Sequence, residues 1–243
     1  MNIEIKQHKQ KKWLDAISLT YSSRMGFHGI TTRYQFTVCK QYFTGVRVLD
    51  LGCADGESTA ILANYFKHVV AIDGSHVALE RLKKYVRDPN IRIINGLFEQ
   101  VSLDDQFDTI FVGHTLEHVE HPVVILNKYA KNLAPHGRMI ITVPNALSIH
   151  RLAAVSMGIL KSPYEVTKQD ISLGHRRVYD RTILHHDIKR AGLHVYADDG
   201  YWLKPLSNAQ IAHQWSAKQL RVFMELGRNF LNNCAELVVV CTK

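Results

Sequence analysis

The sequence predicts an α/β protein: a doubly wound, mostly parallel seven-stranded sheet with a helical N-terminal cap and an insertion after the fifth strand. Three observations carry this. Short β-rich runs alternate with amphipathic stretches through residues 46–145, the pattern that lays helices over both faces of a parallel sheet. The first of these runs ends in a glycine loop that opens a helix, "VLDLGCADGES" (48–58). A last apolar run, "AELVVVCTK" (235–243), follows a long helical region.

Residues 1–45 read as helical and amphipathic, a cap or lid. "VRVLDLG" (46–52) reads as a buried strand, "ESTAILANYF" (57–66) as a helix, and "HVVAIDGS" (68–75) as a second strand with an acid at its end. "SHVALERLKKYV" (75–86) has helical spacing with Ser75 placed to cap it. Strands at 90–96 and 107–113, a helix at 121–133 and a fifth strand at 137–145 complete the alternation. Residues 146–178 are irregular or partly helical. A helix over 180–192 closes on Gly192, "LHVYADDGYWL" begins as a strand, residues 208–231 read as helical, and 235–243 is the last strand. We divide one domain, 1–243, into cap (1–45), core (46–145), insertion (146–179) and the C-terminal part of the sheet (180–243). Ligands of such sheets bind beyond the carboxyl ends of the strands. That rule selects the loops at 52–57, 73–75, 95–99 and 113–122.

The chain has 243 residues, 46% of them apolar, which is enough for one sizeable core. No apolar run is long enough to span a bilayer, and the start, "MNIEIKQHKQKKW", is polar where a secretory signal would be apolar. The four cysteines form no C-x-x-C pair and no zinc-like spacing. Reduced thiols and a cytoplasmic location are the expectation. The formal net charge of +8 favours anionic partners. It is dispersed rather than clustered, which argues against a nucleic-acid footprint.

The glycine loop offers close backbone approach and the free N–H groups of a helix start. A dinucleotide fingerprint, G-x-G-x-x-G, fails here because Ala54 and Glu57 stand at its second and third glycines. The pattern present is D-x-G-x-A-x-G, from Asp50 through Gly52 and Ala54 to Gly56. It resembles the first motif of the class I S-adenosylmethionine-dependent methyltransferases, with Ala54 the one departure. "VVAIDGS", "INGLFEQ", "FDTIFVGHTLEHVEHP" and "LAPHGRMIITVPN" resemble the next four motifs, in order and each at a strand end.

That resemblance implies a Rossmann-like methyltransferase fold, S-adenosylmethionine as cofactor and S-adenosylhomocysteine as product. It implies that Asp50, Gly52, Cys53, Ala54 and Gly56 form the cofactor loop. Asp73, with Gly74, would take the ribose hydroxyls, since a carboxylate accepts two hydrogen bonds. Leu97 and Phe98 would flank the adenine, and Gly113 and His114 the methionine end. The activity implied is in-line methyl transfer to a small-molecule acceptor, first a hydroxyl of a sugar, natural product or phosphorylated metabolite. N-methylation of a small amine or amino sugar, RNA 2′-O-methylation and cofactor binding without turnover are the alternatives. No membrane partner is expected, and oligomeric state stays open.

A hydroxyl acceptor needs a base, and His118 and His175 are the catalytic candidates because imidazole titrates near neutrality. "GHRRVYD" (174–180) suggests that Arg176, Arg177 and Tyr179 bind an anionic acceptor through charge-assisted bonds. Tyr201 and Trp202 are either an aromatic wall or core. The loop also resembles ubiquinone-pathway and small-RNA methyltransferases that hold a divalent ion through E-x-x-E-H, with His114 standing where the first Glu would be. No metal is the first expectation, and the set His114, Glu117, His118 and His175 is the alternative.

Overall fold

A computed structural model describes residues 3–243. Seven strands form one sheet among the described residues: β1 (Arg47–Leu51), β2 (His68–Asp73), β3 (Ile91–Asn95), β4 (Phe107–Gly113), β5 (Leu133–Pro144), β6 (His194–Tyr201) and β7 (Glu236–Thr242). Their order is β3-β2-β1-β4-β5-β7-β6. Strands β1 to β5 pair in parallel, and β7 runs antiparallel to both its neighbours.

Successive side chains of a strand point to opposite faces. Val48 therefore packs on one side of the sheet, while Leu49 and Leu51 pack on the other. In β7, Val238 and Val240 go one way and Leu237, Val239 and Cys241 the other. Both faces are covered, so these strands read as unbroken apolar runs. Each fully buried aliphatic side chain contributes about 1.5–3 kcal/mol. Helices α5 (Pro122–Ala130) and α8 (Arg181–Arg190) cover the Leu49 face through Ile125, Leu126, Leu184 and Ile188. On the Val48 face, α2 (Gly26–Cys39), α3 (Glu57–Leu62) and α10 (Ala217–Leu226) bring Phe36, Leu62, Leu220 and Met224.

Helix α4 (His76–Tyr85) is capped by Ser75 Oγ, which accepts from Ala78 N at 3.1 Å. Helix α1 (Ile3–Thr20) is bound to it by polar tethers. Asp15 accepts from Ser75 Oγ at 2.7 Å and from Val77 N at 3.1 Å, and Arg81 donates to the carbonyls of Ser18 and Tyr21 at 2.5 and 3.2 Å. Of the expected cap, α1 lies against α4 while α2 packs on the sheet; residues 1 and 2 lie outside the described set.

Three boundaries differ from the sequence expectation. Strand β5 begins at Leu133 because its pairing with β4 shifts register, Phe107 facing Leu133 before Thr109 faces Arg138. Helix α3 stops at Leu62. The helix expected over 208–231 is two, α9 (Asn208–Gln214) and α10, separated where Ser216 and Gln219 form a capping box. The insertion carries α6 (Ile149–Ser156) and α7 (Lys168–Ser172). No helix of the described residues is long and apolar enough to cross a membrane, and all four cysteines are buried and free.

Candidate active site

Strand order reverses between β1 and β4, and a crevice opens beyond their carboxyl ends. It leads into a cavity of about 640 Å³, the size of a cofactor-plus-substrate site. The two loops are tied together across it. Thr115 Oγ1 donates to Leu51 O at 2.8 Å, and a Cβ at position 52 would fall 2.3 Å from that oxygen. Gly52 also has φ +91°, so glycine is required twice over. Gly52 N and Cys53 N both donate to Ile72 O, at 2.9 and 3.2 Å.

Ala54, at φ 45°, donates its N–H to Asp73 Oδ2 at 3.0 Å. Asp73 Oδ1 accepts from Ser75 N at 2.8 Å. Each carboxylate oxygen keeps acceptor capacity, and the residue lines the cavity. That fits a vicinal diol. Burial raises the Asp73 carboxyl above its ordinary range against the pull of these amides. Gly52, Cys53, Ala54, Asp73, Gly74, Leu97, Phe98, Gly113 and His114 all line the cavity.

Asp50 and Gly56 are not among the residues that line it. Asp50 is buried and its Oδ2 accepts from Ser58 Oγ and Thr59 Oγ1, both at 2.7 Å, tying the strand to α3. Burial pushes its carboxyl up to about 6 against those two bonds. Gly56, at φ 98°, is the N-cap residue of α3 and packs against Leu82. Both shape the loop from behind.

At the end of β4, His114 takes a left-handed φ of 48° and its N–H donates to Thr142 O at 2.9 Å. Its Nδ1 stands 3.4 Å from Glu117 Oε1 and its Nε2 3.7 Å from Glu236 Oε2. Burial alone would lower this imidazole, but Glu236 and Glu117 outweigh it and hold it up at about 9. Glu117 is 1% exposed and neither carboxylate oxygen has a hydrogen bond. Burial would raise it, yet His114, His118 and His175 bring it down to about 2. Burial, reinforced by His175, drops His118 to about 4 despite Glu117.

The His118 and His175 rings meet edge to face at 4.8 Å. His175 is carried by the insertion: its N–H donates to Asp170 O at 2.9 Å, and its Nδ1 is 3.5 Å from Asp170 Oδ1. Glu117, His118 and His175 each offer a ligand atom, all within 4.8 Å of one another. The fold therefore joins three of the four residues of the alternative metal set. His114 stands beside them, paired with Glu117.

Arg176, Arg177 and Tyr179 are not among the residues lining the cavity. The Arg177 guanidinium is spent on the main chain, donating to the carbonyls of Leu116 (2.9 Å), Glu120 (3.0 Å) and Val119. Arg176 Nε donates to His118 O at 2.8 Å and its guanidinium lies over the Trp13 ring. Tyr179 is fully buried, with its hydroxyl on Asp187 at 3.2 Å. These residues pin the turn that presents Glu117 and His118. Tyr201 is core, whereas Trp202 is both buried and part of the cavity wall.

The sequence reading missed Tyr21, His28, His150, Lys204 and Glu236, which also line the cavity. They come from the cap, the insertion, the segment after β6 and the start of β7. None sits in a motif, and only the three-dimensional fold brings them together.

Comparison with known proteins agrees with this geometry. The family model described as a methyltransferase domain matches residues 8–198. The chain is 28% identical over 158 residues to the mitochondrial ubiquinone biosynthesis O-methyltransferase of Schizosaccharomyces pombe, covering 60% of this chain and 56% of that one. It is 29% identical over 111 residues to the cypemycin N-terminal methyltransferase of a Streptomyces species, covering 44% and 45%. The chain thus spans about half the length of these relatives. Among solved structures, the N-methyltransferase NodS of Bradyrhizobium japonicum, in complex with S-adenosylhomocysteine, superposes with a TM-score of 0.60 at 15% identity, over 97% of each chain. With the glycine loop, Asp73 and the crevice between β1 and β4 in place, the chain belongs to the class I S-adenosylmethionine-dependent methyltransferases.

Proposed function

We propose that this methyltransferase acts on a hydroxyl group of a small molecule, with His175 as the proton acceptor. The observation that carries the reading is the cluster of buried Glu117 with half-buried His118 and His175, backed by Asp170. An imidazole oriented by a carboxylate is the arrangement of a general base. Asp170 is held well below the usual carboxylate range by His175, Thr167 and Arg151, against its burial, so it stays ionised. His118, lowered to about 4 by burial, remains neutral at pH 7.

S-adenosylmethionine, when bound, supplies a methyl group already activated on a sulfonium. The chain's own task is to position the acceptor, exclude water and take one proton. His175 accepts the hydroxyl proton, and Asp170 stabilises the imidazolium that forms. The acceptor oxygen gains the methyl carbon as the carbon–sulfur bond breaks in line, its electron pair leaving with sulfur. Helix α1 closes the cavity through Trp13, Leu14 and Ile17.

A divalent cation on Glu117, His118 and His175 is the second reading. It is favoured by the convergence of the three ligand atoms and by a buried carboxylate without a hydrogen bond. Such an ion would lower the pKa of the acceptor hydroxyl.

The test uses isotopically labelled methyl donor with a panel of small hydroxyl and amine acceptors, with and without EDTA. Label on a hydroxyl, retained in EDTA and reduced about 10²- to 10⁴-fold in His175→Ala, is the expected result. Transfer to amines alone overturns it. Loss in EDTA, with recovery on adding a divalent ion, selects the second reading.

A further inference from the structure

We propose that Lys204 anchors an anionic group of the methyl acceptor, a carboxylate or a phosphate, at the wall of the cavity formed by α6, the segment after β6 and the start of β7. The inference rests on the reading that this cavity receives a small acceptor, and it names that acceptor's chemistry.

The backbone around Lys204 is fixed on every side. Trp202 N donates to Met224 O at 2.8 Å and Leu203 N to Phe223 O at 2.7 Å. Trp202 O accepts from Ala235 N at 2.8 Å, and Lys204 O from His150 N at 3.1 Å. Trp202 holds a left-handed φ of 72°, a strained conformation for a bulky residue. The end of α10 approaches so closely that a Cβ on Gly227 would fall 2.1 Å from Trp202 N. A segment held this tightly sets one side chain in one place.

That side chain is a buried ammonium. Lys204 is 9% exposed and lines the cavity, with its Nζ 4.8 Å from the centre of the Trp202 ring. No carboxylate lies within ion-pair distance of it among the described residues. Burying a charge is costly, and Glu236 through space and the Trp202 face offset only part of that cost. Of the other cations lining the cavity, Arg151 donates to the carbonyls of Pro163 (2.8 Å) and Glu165 and lies 3.4 Å from Asp170, His114 stands between Glu117 and Glu236, and Lys168 is exposed to solvent. Lys204 is therefore the buried lysine of the cavity wall.

Its surroundings are unsatisfied in the same way. His150 Nδ1, Trp202 Nε1, Asn208 Oδ1 and Glu236 Oε2 are buried without a hydrogen-bond partner, and all four residues line this cavity. Buried polar groups are rarely left unpaired in a folded protein. Together these groups favour a ligand with a negative charge for Lys204 and a hydrogen-bond donor for Glu236 Oε2, whose ion-pair partner His114 stands 3.7 Å away without a hydrogen bond. A neutral, apolar acceptor would supply neither.

The test is calorimetry on the full chain loaded with S-adenosylhomocysteine. It is titrated with 4-hydroxybenzoate, phenyl phosphate and glycerol 3-phosphate, and with the neutral counterparts phenol and glycerol. The expected result is at least about tenfold tighter binding of an anionic probe than of its neutral counterpart. The carboxylate and phosphate probes show which anion is preferred. Lys204→Met should abolish the preference and Lys204→Arg retain it, with affinity for S-adenosylhomocysteine unchanged in both. Equal binding of charged and neutral probes, or a preference that survives in Lys204→Met, overturns the proposal. So does a fall in S-adenosylhomocysteine affinity in Lys204→Met with Lys204→Arg unaffected, which would give Lys204 to the cofactor's own carboxylate. Methyl transfer plays no part in this readout, so failure to methylate a hydroxyl bears on the proposed reaction alone.

Discussion

His114 and Glu117 face one another at 3.4 Å, Nδ1 to Oε1, across a single turn after β4. The same imidazole reaches toward Glu236 with its other nitrogen, at 3.7 Å. One residue thus offsets two acids, one from the middle of the chain and one from its last strand.

The pair sets a pH window for stability. His114 is raised from 6.5 to about 9, so its contribution is complete below its unfolded value and is lost as pH rises toward about 9. Glu117 is lowered from 4.5 to about 2, so its contribution is complete above 4.5 and is lost as pH falls toward about 2. Their joint contribution is fullest between those unfolded values. Urea unfolding followed from pH 6.5 to 9 should show stability falling in the wild type. The fall should be shallower in His114→Gln. Parallel alkaline limbs in the two proteins would mean that His114 is not charged in the fold.

Asp73→Ala should weaken binding of S-adenosylhomocysteine by roughly 100-fold or more, since each hydrogen bond to a charged acceptor contributes about 1.5–3 kcal/mol. The carboxylate also accepts from Ala54 N and Ser75 N, so the variant loosens the loop it leaves behind. Asp73→Asn should fall between the two, because the amide retains one acceptor oxygen. Calorimetric titration checks the order, and an Asp73→Ala affinity equal to wild type would remove Asp73 from the cofactor site.

Arg177→Met should cost roughly 1.5–3 kcal/mol of stability, read as a lower urea midpoint. Three carbonyls of the 116–120 turn lose their donor at once. Cofactor affinity should hold, because the glycine loop and Asp73 are untouched. An unchanged midpoint combined with weaker acceptor binding would return Arg177 to the substrate.

The parts of this site legible in the sequence are those that local chemistry dictates. A strand, a glycine turn and a helix start must occur together in the chain, so Gly52 and Ala54 could be placed from neighbouring residues. Asp73 was legible for the same reason, as an acid ending an apolar run. A motif position does not say which way a side chain points, and Asp50 turns inward to Ser58 and Thr59. Charge alone does not distinguish a waiting substrate from backbone carbonyls left bare by a tight turn, where Arg176 and Arg177 donate. Lys204 and Glu236 gave no local signal. They lie in separate segments, on opposite sides of α9 and α10, and meet only because β7 inserts between β5 and β6. The split of α9 from α10 was readable, since Ser216 followed by Gln219 is a capping signature.

Helix α1 has a consequence for the timing of the cycle. It walls the cavity with Trp13, Leu14 and Ile17, yet none of its described residues is fully buried. It is held by Asp15 to the start of α4, by Arg81 on the carbonyls of Ser18 and Tyr21, and by Trp13 under the Arg176 guanidinium. Such an element can detach at less cost than any strand, and without disturbing the sheet. Its detachment would open the cavity, and the dwell time of spent cofactor is expected to follow how often those contacts let go, a clock separate from the chemistry.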